Sequence, residues 1–175
     1  VIHVLSSYQK IGGFIMSGQK PRRLVALPNF SPDEGKCNCG CGKITSDNMM
    51  LRLQCFIFLL EAQMKCKIRC VITGPARCKA KQIQVYTDKG FAVEDVPGSY
   101  HLGPNRGVGD DGKPGEATDV CMYQINAKGE SIAIPRAVVA YAAKKSGLFG
   151  GVIHKIYDGD NSEFVHLDMG PVREL

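Results

Sequence analysis

Between Gly103 and Gly115 the chain crowds Gly103, Pro104, Gly107, Gly109, Gly112, Pro114 and Gly115 into one stretch. A helix interior or a central strand tolerates no such density, because glycine costs backbone entropy and proline lacks an N–H donor. The whole of residues 75–115 is rich in turn formers, so the chain must fold as two sets of short elements on either side of a long loop. Loops of this length inside a compact domain are usually functional or mobile.

The flanking segments carry clear periodicities. Met49, Met50, Leu53, Phe56, Ile57 and Leu60 recur at helical spacing, and Ser46 or Asp47 can cap the helix they define. Cys70–Thr73 is a short apolar run stopped by Gly74-Pro75, which predicts a buried strand. Glu116–Tyr123 reads as a second strand. Pro135 opens a helix running to about Lys145, with Gly147 as its stop. Gly151–Tyr157 and Glu163–Met169 read as two strands joined by the turn Asp158-Gly159-Asp160-Asn161. This order predicts a single α+β domain with a small, mainly antiparallel sheet and flanking helices.

Composition excludes several classes. The 175 residues suit one domain, and 44% hydrophobic content spread along the chain argues against disorder. The longest uncharged apolar runs, Cys55–Leu60 and Ala137–Ala143, are too short to span a bilayer. Residues 1–20 lack the long apolar core and the small-residue cleavage site of a secretion signal, and residues 1–24 read as an N-terminal extension. The net charge of +5 favours anionic partners such as nucleic acid, a cell-wall polymer or an acidic peptide, and selects none of them. No Lys/Arg block interleaves with aromatics, which argues against a nucleic-acid partner; a cysteine-rich nucleic-acid binder is a third reading.

Four histidines are present, His3, His101, His154 and His166. His101 and His166 lie on either side of a strand carrying Asp119. Two imidazoles and a carboxylate form a donor set suited to catalytic zinc, which keeps a further position open for water.

Several short motifs, in order, resemble the family of zinc D,D-carboxypeptidases and L-alanyl-D-glutamate endopeptidases that cut bacterial wall peptides. The family carries Ser-x-His-x-x-Gly-x-Ala-x-Asp and a later His on its final strand. Here the parts read Ser99-Tyr100-His101-Leu102, Gly115-Glu116-Ala117-Thr118-Asp119 and Glu163-Phe164-Val165-His166-Leu167-Asp168. Upstream, Thr73-Gly74-Pro75-Ala76-Arg77-Cys78 resembles the family's Thr-Ser-Gly-Tyr-Arg-Cys segment. Leu148-Phe149-Gly150-Gly151-Val152 resembles its glycine-rich approach to the last hairpin, and the Cys39-Gly40-Cys41-Gly42 loop before the first helix also fits. The match covers roughly residues 25–173 and is closest to the short, single-domain branch, whose enzymes often serve phages as endolysins or tail-borne wall cutters. The resemblance implies a Hedgehog/D,D-peptidase-like zinc fold over residues 25–175.

It further implies one catalytic Zn²⁺ held by His101, Asp119 and His166. Glu163, three before His166, matches the catalytic acid. Residues three apart on a regular strand face opposite sides, so Glu163 reaches the site only from a turn or bulge. Asp168 shares a face with His166 and is the competing base or an orienting partner. Arg77 matches the arginine that holds a substrate carboxylate or steadies an oxyanion. Ser99 and His154 are candidates for substrate contact. The family spaces its His and Asp by seven positions, whereas His101 and Asp119 stand 18 apart, an insertion of 11 placed at about 103–114. Asp110 and Asp111 are alternative carboxylates within it. The expected activity is hydrolysis of a D-Ala-D-Ala or L-Ala-D-Glu bond in peptidoglycan stem peptides, with delivery by a phage or its virion. The alternative is a non-catalytic wall-binding or virion assembly module that keeps the zinc fold.

Eight cysteines complete the reading. Cys37, Cys39 and Cys41 alternate by two, and Cys66, Cys70 and Cys78 surround the first strand. A disulfide from the 37–41 loop to Cys70 or Cys78, a second structural zinc, and plain thiols all remain open. Cys55 and Cys121 read as core thiols.

Overall fold

A computed structural model of the chain describes residues 27–31, 33–107, 112–154 and 163–171. The N-terminal extension, Asp110, Asp111 and the turn at 158–161 lie outside the described residues. Within them the order is α1 (Asp47–Met64), β1 (Lys67–Gly74), α2 (Lys79–Thr87), β2 (Ala117–Ile125), β3 (Ser131–Ala133), α3 (Arg136–Ser146), β4 (Gly151–Ile153) and β5 (Val165–Asp168). Two 3-10 turns, Val93–Asp95 and Pro104–Gly107, lie between α2 and β2. This is a small α+β domain whose sheet is antiparallel in every strand pair.

The sheet order is β1-β2-β5-β4. Strand β2 is the central ladder. One of its edges pairs with β1; the other pairs with β5 over Ala117–Val120 and with β3 over Tyr123–Ile125. Alternation along the strands then assigns the two faces. Val120, Met122, Val165 and Leu167 point into the core, whereas Asp119 and His166 lie on the opposite face.

Helix α1 closes the core face. Ser46 caps it by accepting the Met49 N–H at 3.2 Å. Its stripe of Met49, Met50, Leu53, Phe56, Ile57 and Leu60 is fully buried against Ile68, Val120, Val139, Ala140 and Val152. Phe56 meets Phe149 edge to face at 5.5 Å, so the approach to β4 is packed onto the same helix. The expected helix at Pro135–Lys145 forms as α3 and ends at Gly147, whose φ of 65° is the left-handed turn that glycine favours.

Two elements depart from expectation. The stretch 75–115 is not a continuous loop, because α2 forms within it. Only Gln82 of that helix is buried, so no apolar stripe marks it in the sequence. The three residues of β3 are all exposed and carry no alternation signal.

The loop 103–114 is tied at its base. Glu116 N–H donates to Tyr100 O at 2.7 Å, Gly115 N–H to Ile44 O at 2.8 Å, and Ser46 N–H to Gly115 O at 2.7 Å. Its ends therefore meet whatever its length, and closing a longer loop adds only a logarithmic entropy cost.

The β4–β5 pair depends on one close approach. Gly150 N–H donates to Asp168 O at 2.9 Å, and a Cβ at Gly150 would sit 1.5 Å from the carbonyl oxygen of Gly170. Gly150→Ala must displace backbone, so it should lower stability by about 1–3 kcal/mol or more. Gly112→Ala is the control, since nothing lies within 4 Å of its Cβ position. Thermal or denaturant unfolding checks this; equal midpoints for Gly150→Ala and wild type would contradict the packing described.

Candidate metal centre

The site is assembled on the sheet face opposite α1. The antiparallel register sets Asp119 of β2 directly across from His166 of β5. A bulge in β1 between Ile72 and Gly74 brings Gly74 opposite Asp119. A Cβ there would lie 2.1 Å from Asp119 Oδ2, so glycine makes room for the carboxylate. Arg77 lies three residues beyond the end of β1, and its N–H donates to His101 O at 2.8 Å. Ser99 Oγ accepts the His101 N–H at 3.3 Å and Ser99 O accepts the Leu102 N–H, which closes the turn carrying His101.

Asp119 Oδ1 lies 3.2 Å from His101 Nε2 and 2.8 Å from His166 Nδ1. Its other oxygen accepts from Arg77 Nη2 at 3.0 Å. One donor atom from each of His101, Asp119 and His166 falls within 4.8 Å of the others. The two imidazoles tilt toward each other with centroids 5.0 Å apart. His101 is 2% exposed and Asp119 6%, so this is a cluster of buried ionisable groups.

The remaining ring nitrogens are also held. His101 Nδ1 is 2.9 Å from Pro75 O, and His166 Nε2 is 3.2 Å from Asp168 Oδ2. A carbonyl can only accept, so His101 Nδ1 carries the proton and Nε2 presents its lone pair to the shared point. Asp168 asks the same of His166 Nε2. An imidazole fixed by a carbonyl or carboxylate on its far nitrogen is the usual arrangement of a metal-ligating histidine. The donor set therefore fits a metal ion.

The electrostatics are divided. Burial holds His101 below its ordinary pKa despite Asp119. Burial also opposes charge on His166, but the Asp119 and Asp168 carboxylates overcome it and lift its pKa to about 9. For Asp119, burial is outweighed by the two imidazoles, and the carboxyl is held far below the usual range. An ionised carboxylate and a neutral His101 are ready to meet a cation, whereas His166 must give up a proton before its ring can ligate one.

The three residues and Arg77 open into a cleft of about 490 Å³ that Ser99, His154 and Phe164 also line. Asp168 is fully buried; its Oδ1 accepts the Gly170 N–H at 2.8 Å while Oδ2 faces His166. Glu163 is not brought to this cleft. It is exposed just before β5 and borders a separate groove with Cys121, Met122, Tyr123 and Arg136. Phe164 and His166 line the cleft, whereas Glu163, two residues before β5 begins, borders the other groove.

Sequence reasoning missed several further cleft residues, among them Tyr86, Lys89, Arg106 and Lys144. They come from α2 and the turn that follows it, the 3-10 turn at Pro104–Gly107 and α3, and no local spacing links them. Among the cysteines, Cys37, Cys39, Cys41 and Cys78 converge, whereas Cys70 is buried in the core cluster. All eight are free thiols. Cys55 is exposed on α1 and Cys121 is half-buried, so neither is a core thiol as expected; Cys55 lies outside the buried stripe, and Cys121 alternates away from Val120 and Met122.

Comparison with family models, with curated proteins and with solved structures finds no match to this chain.

Asp168→Asn tests the imidazole orientation. The amide can keep its oxygen on Gly170 N–H, but its NH₂ then faces His166 Nε2 and forces the proton onto Nδ1, which removes the lone pair from the site. Divalent metal affinity at the histidine site should fall about 10- to 100-fold by calorimetric titration. Unchanged affinity would remove Asp168 from the centre.

Proposed function

We propose that this chain is a zinc-dependent peptidase that hydrolyses a D-Ala-D-Ala or L-Ala-D-Glu bond in bacterial peptidoglycan stem peptides, on a D,D-peptidase-like zinc fold. The observation that carries the reading is the convergence of His101, Asp119 and His166. They lie on three different segments, and the motifs that singled them out were not neighbours in sequence. Zinc held there would supply Lewis acidity and a bound water of lowered pKa.

The chain's own residues supply the rest. His101 Nδ1 and His166 Nε2 are anchored, so neither ring can turn from the cleft. Arg77 stands beside Asp119 with one Nη on its carboxylate and the other 3.3 Å from Gln82 Oε1. Its planar fork can meet a stem-peptide carboxylate or an oxyanion without rearranging. Lys89, Arg106 and Lys144 on the cleft wall add positive potential, which suits a substrate rich in carboxylates. Tyr86 and Phe164 offer apolar surface for alanine side chains. Asp168 has both oxygens engaged and serves as a positioning residue. The family pattern assigns proton transfer to Glu163.

The seat of Glu163 outside the cleft favours a second reading, in which the chain keeps the metal and the cationic cleft but binds wall polymer, or a virion component, without cutting it. The two readings separate experimentally. Zinc-loaded protein should release new amino or carboxyl ends from purified sacculi, chelation should abolish release, and added zinc should restore it. Glu163→Gln should lower the rate about 10²- to 10⁴-fold without lowering zinc content. No release from several wall types, with sacculus binding retained, would establish the binding module in place of the enzyme.

A further inference from the structure

A second cluster of metal-ligating side chains lies beside the first and is not used by it. Cys37, Cys39 and Cys41 sit on the loop closed by the Lys36–Ile44 bridge, and Cys78 caps the start of α2. One sulfur from each lies within 4.8 Å of the others, although Cys39 and Cys78 are 39 residues apart. Two of the pairs, Cys37–Cys39 at 3.3 Å and Cys39–Cys78 at 3.5 Å, are far from bonded sulfurs. They approach the edge of a tetrahedron of thiolates around zinc, about 3.8 Å for Zn–S bonds of 2.3 Å.

The surrounding backbone favours anionic sulfur. Lys81 N–H donates to Cys78 Sγ at 3.4 Å, at the positive end of α2. Cys78 Sγ thus accepts a backbone hydrogen bond that suits a thiolate. The loop turns through Gly40 and Gly42, both with left-handed φ values of 77° and 85°, which lets alternate cysteines wrap one point. Lys36, Lys43, Lys79 and Lys81 flank the four cysteines in sequence and offset the double negative charge of a zinc tetrathiolate.

We infer that Cys37, Cys39, Cys41 and Cys78 form a structural tetrathiolate site for a soft or borderline d¹⁰ ion, zinc foremost, which clamps the 36–44 loop to the start of α2. Four protein sulfurs leave no position for water, so the site is closed and does no chemistry. Its effect reaches the cleft through the chain. Cys78 is adjacent to Arg77, and Thr45, at the foot of the loop, donates from Oγ1 to Gly35 O and accepts the Ala76 N–H at 3.1 Å. The clamp fixes the backbone from which Arg77 reaches Asp119. It stands independently of the peptidase reading.

The test uses the full chain, reduced and metal-free, titrated with Co²⁺ and then Zn²⁺. Wild type should take up about two ions per chain, one of them with thiolate-to-cobalt charge-transfer absorption and tetrahedral d–d bands. His101→Ala/His166→Ala should keep that spectrum and lose the other ion. Cys37→Ser/Cys78→Ser should lose the spectrum, keep the histidine-site ion and unfold at a lower temperature. Absence of thiolate charge transfer in the cobalt-loaded wild type would overturn the inference whether or not any variant folds. So would a Cys39–Cys78 disulfide in chain isolated without reductant and mapped by mass spectrometry. Neither result bears on peptidoglycan release, so the two proposals fail separately.

Discussion

The carboxylate of Asp119 is the constraint around which the described structure is arranged. A buried anion costs several kcal/mol unless it is paired and hydrogen-bonded. Here one oxygen is shared by His101 and His166 and the other is taken by Arg77. Each partner comes from a different segment, so satisfying this one charge fixes the exit of β1, the turn at His101 and the register of β5 on β2. The bulge at Gly74 follows from the same demand, since a side chain there would occupy the carboxylate's space. Removing any one partner would leave charge uncompensated in a low-dielectric pocket.

The period-two alternation of β2 and β5 couples this arrangement to the core. Val120 and Val165 pair across the ladder on the core face, and Asp119 and His166 pair one step along on the other. A register slip of one residue would expose the apolar set and bury the wrong polar one, so packing under α1 holds the ligand geometry in place. The helices that stabilise the fold thus never touch the metal point, yet they set its dimensions.

Much of this was legible in the sequence, and the exceptions have physical causes. Helix α1 announced itself because a buried stripe and a serine cap are local signals, and β2, α3 and the β4–β5 pair followed from equally local patterns. Helix α2 was invisible because it buries only Gln82 and lies in a stretch crowded with turn formers. The triad of His101, Asp119 and His166 emerged from motif order rather than spacing, since spacing alone is broken by the long loop; the three hydrogen bonds at the loop's base explain why that break is harmless to the site. Lys89, Arg106 and Lys144 escaped notice because single cations on separate elements share no periodicity. The cysteine loop offered three readings because only folding brings Cys78 to Cys37 and leaves Cys70 in the core.

Glu163 shows where fold and chemistry pull apart. Catalysis needs a base whose oxygen meets a water above His101, Asp119 and His166. Asp168 cannot serve without surrendering His166 Nε2 and Gly170 N–H, because both its oxygens are already spoken for. The residue three before His166 has the wrong parity for the cleft face so long as the strand runs straight through it. Strand β5 begins at Val165, so Glu163 already lies outside the ladder and is held by no pairing to β2. A peptidase must break the alternation at that point, by a bend that carries the carboxylate past Phe164 into the cleft. A binding module can leave the alternation intact, because the His101, Asp119 and His166 group, Arg77 and the cationic wall are complete without it.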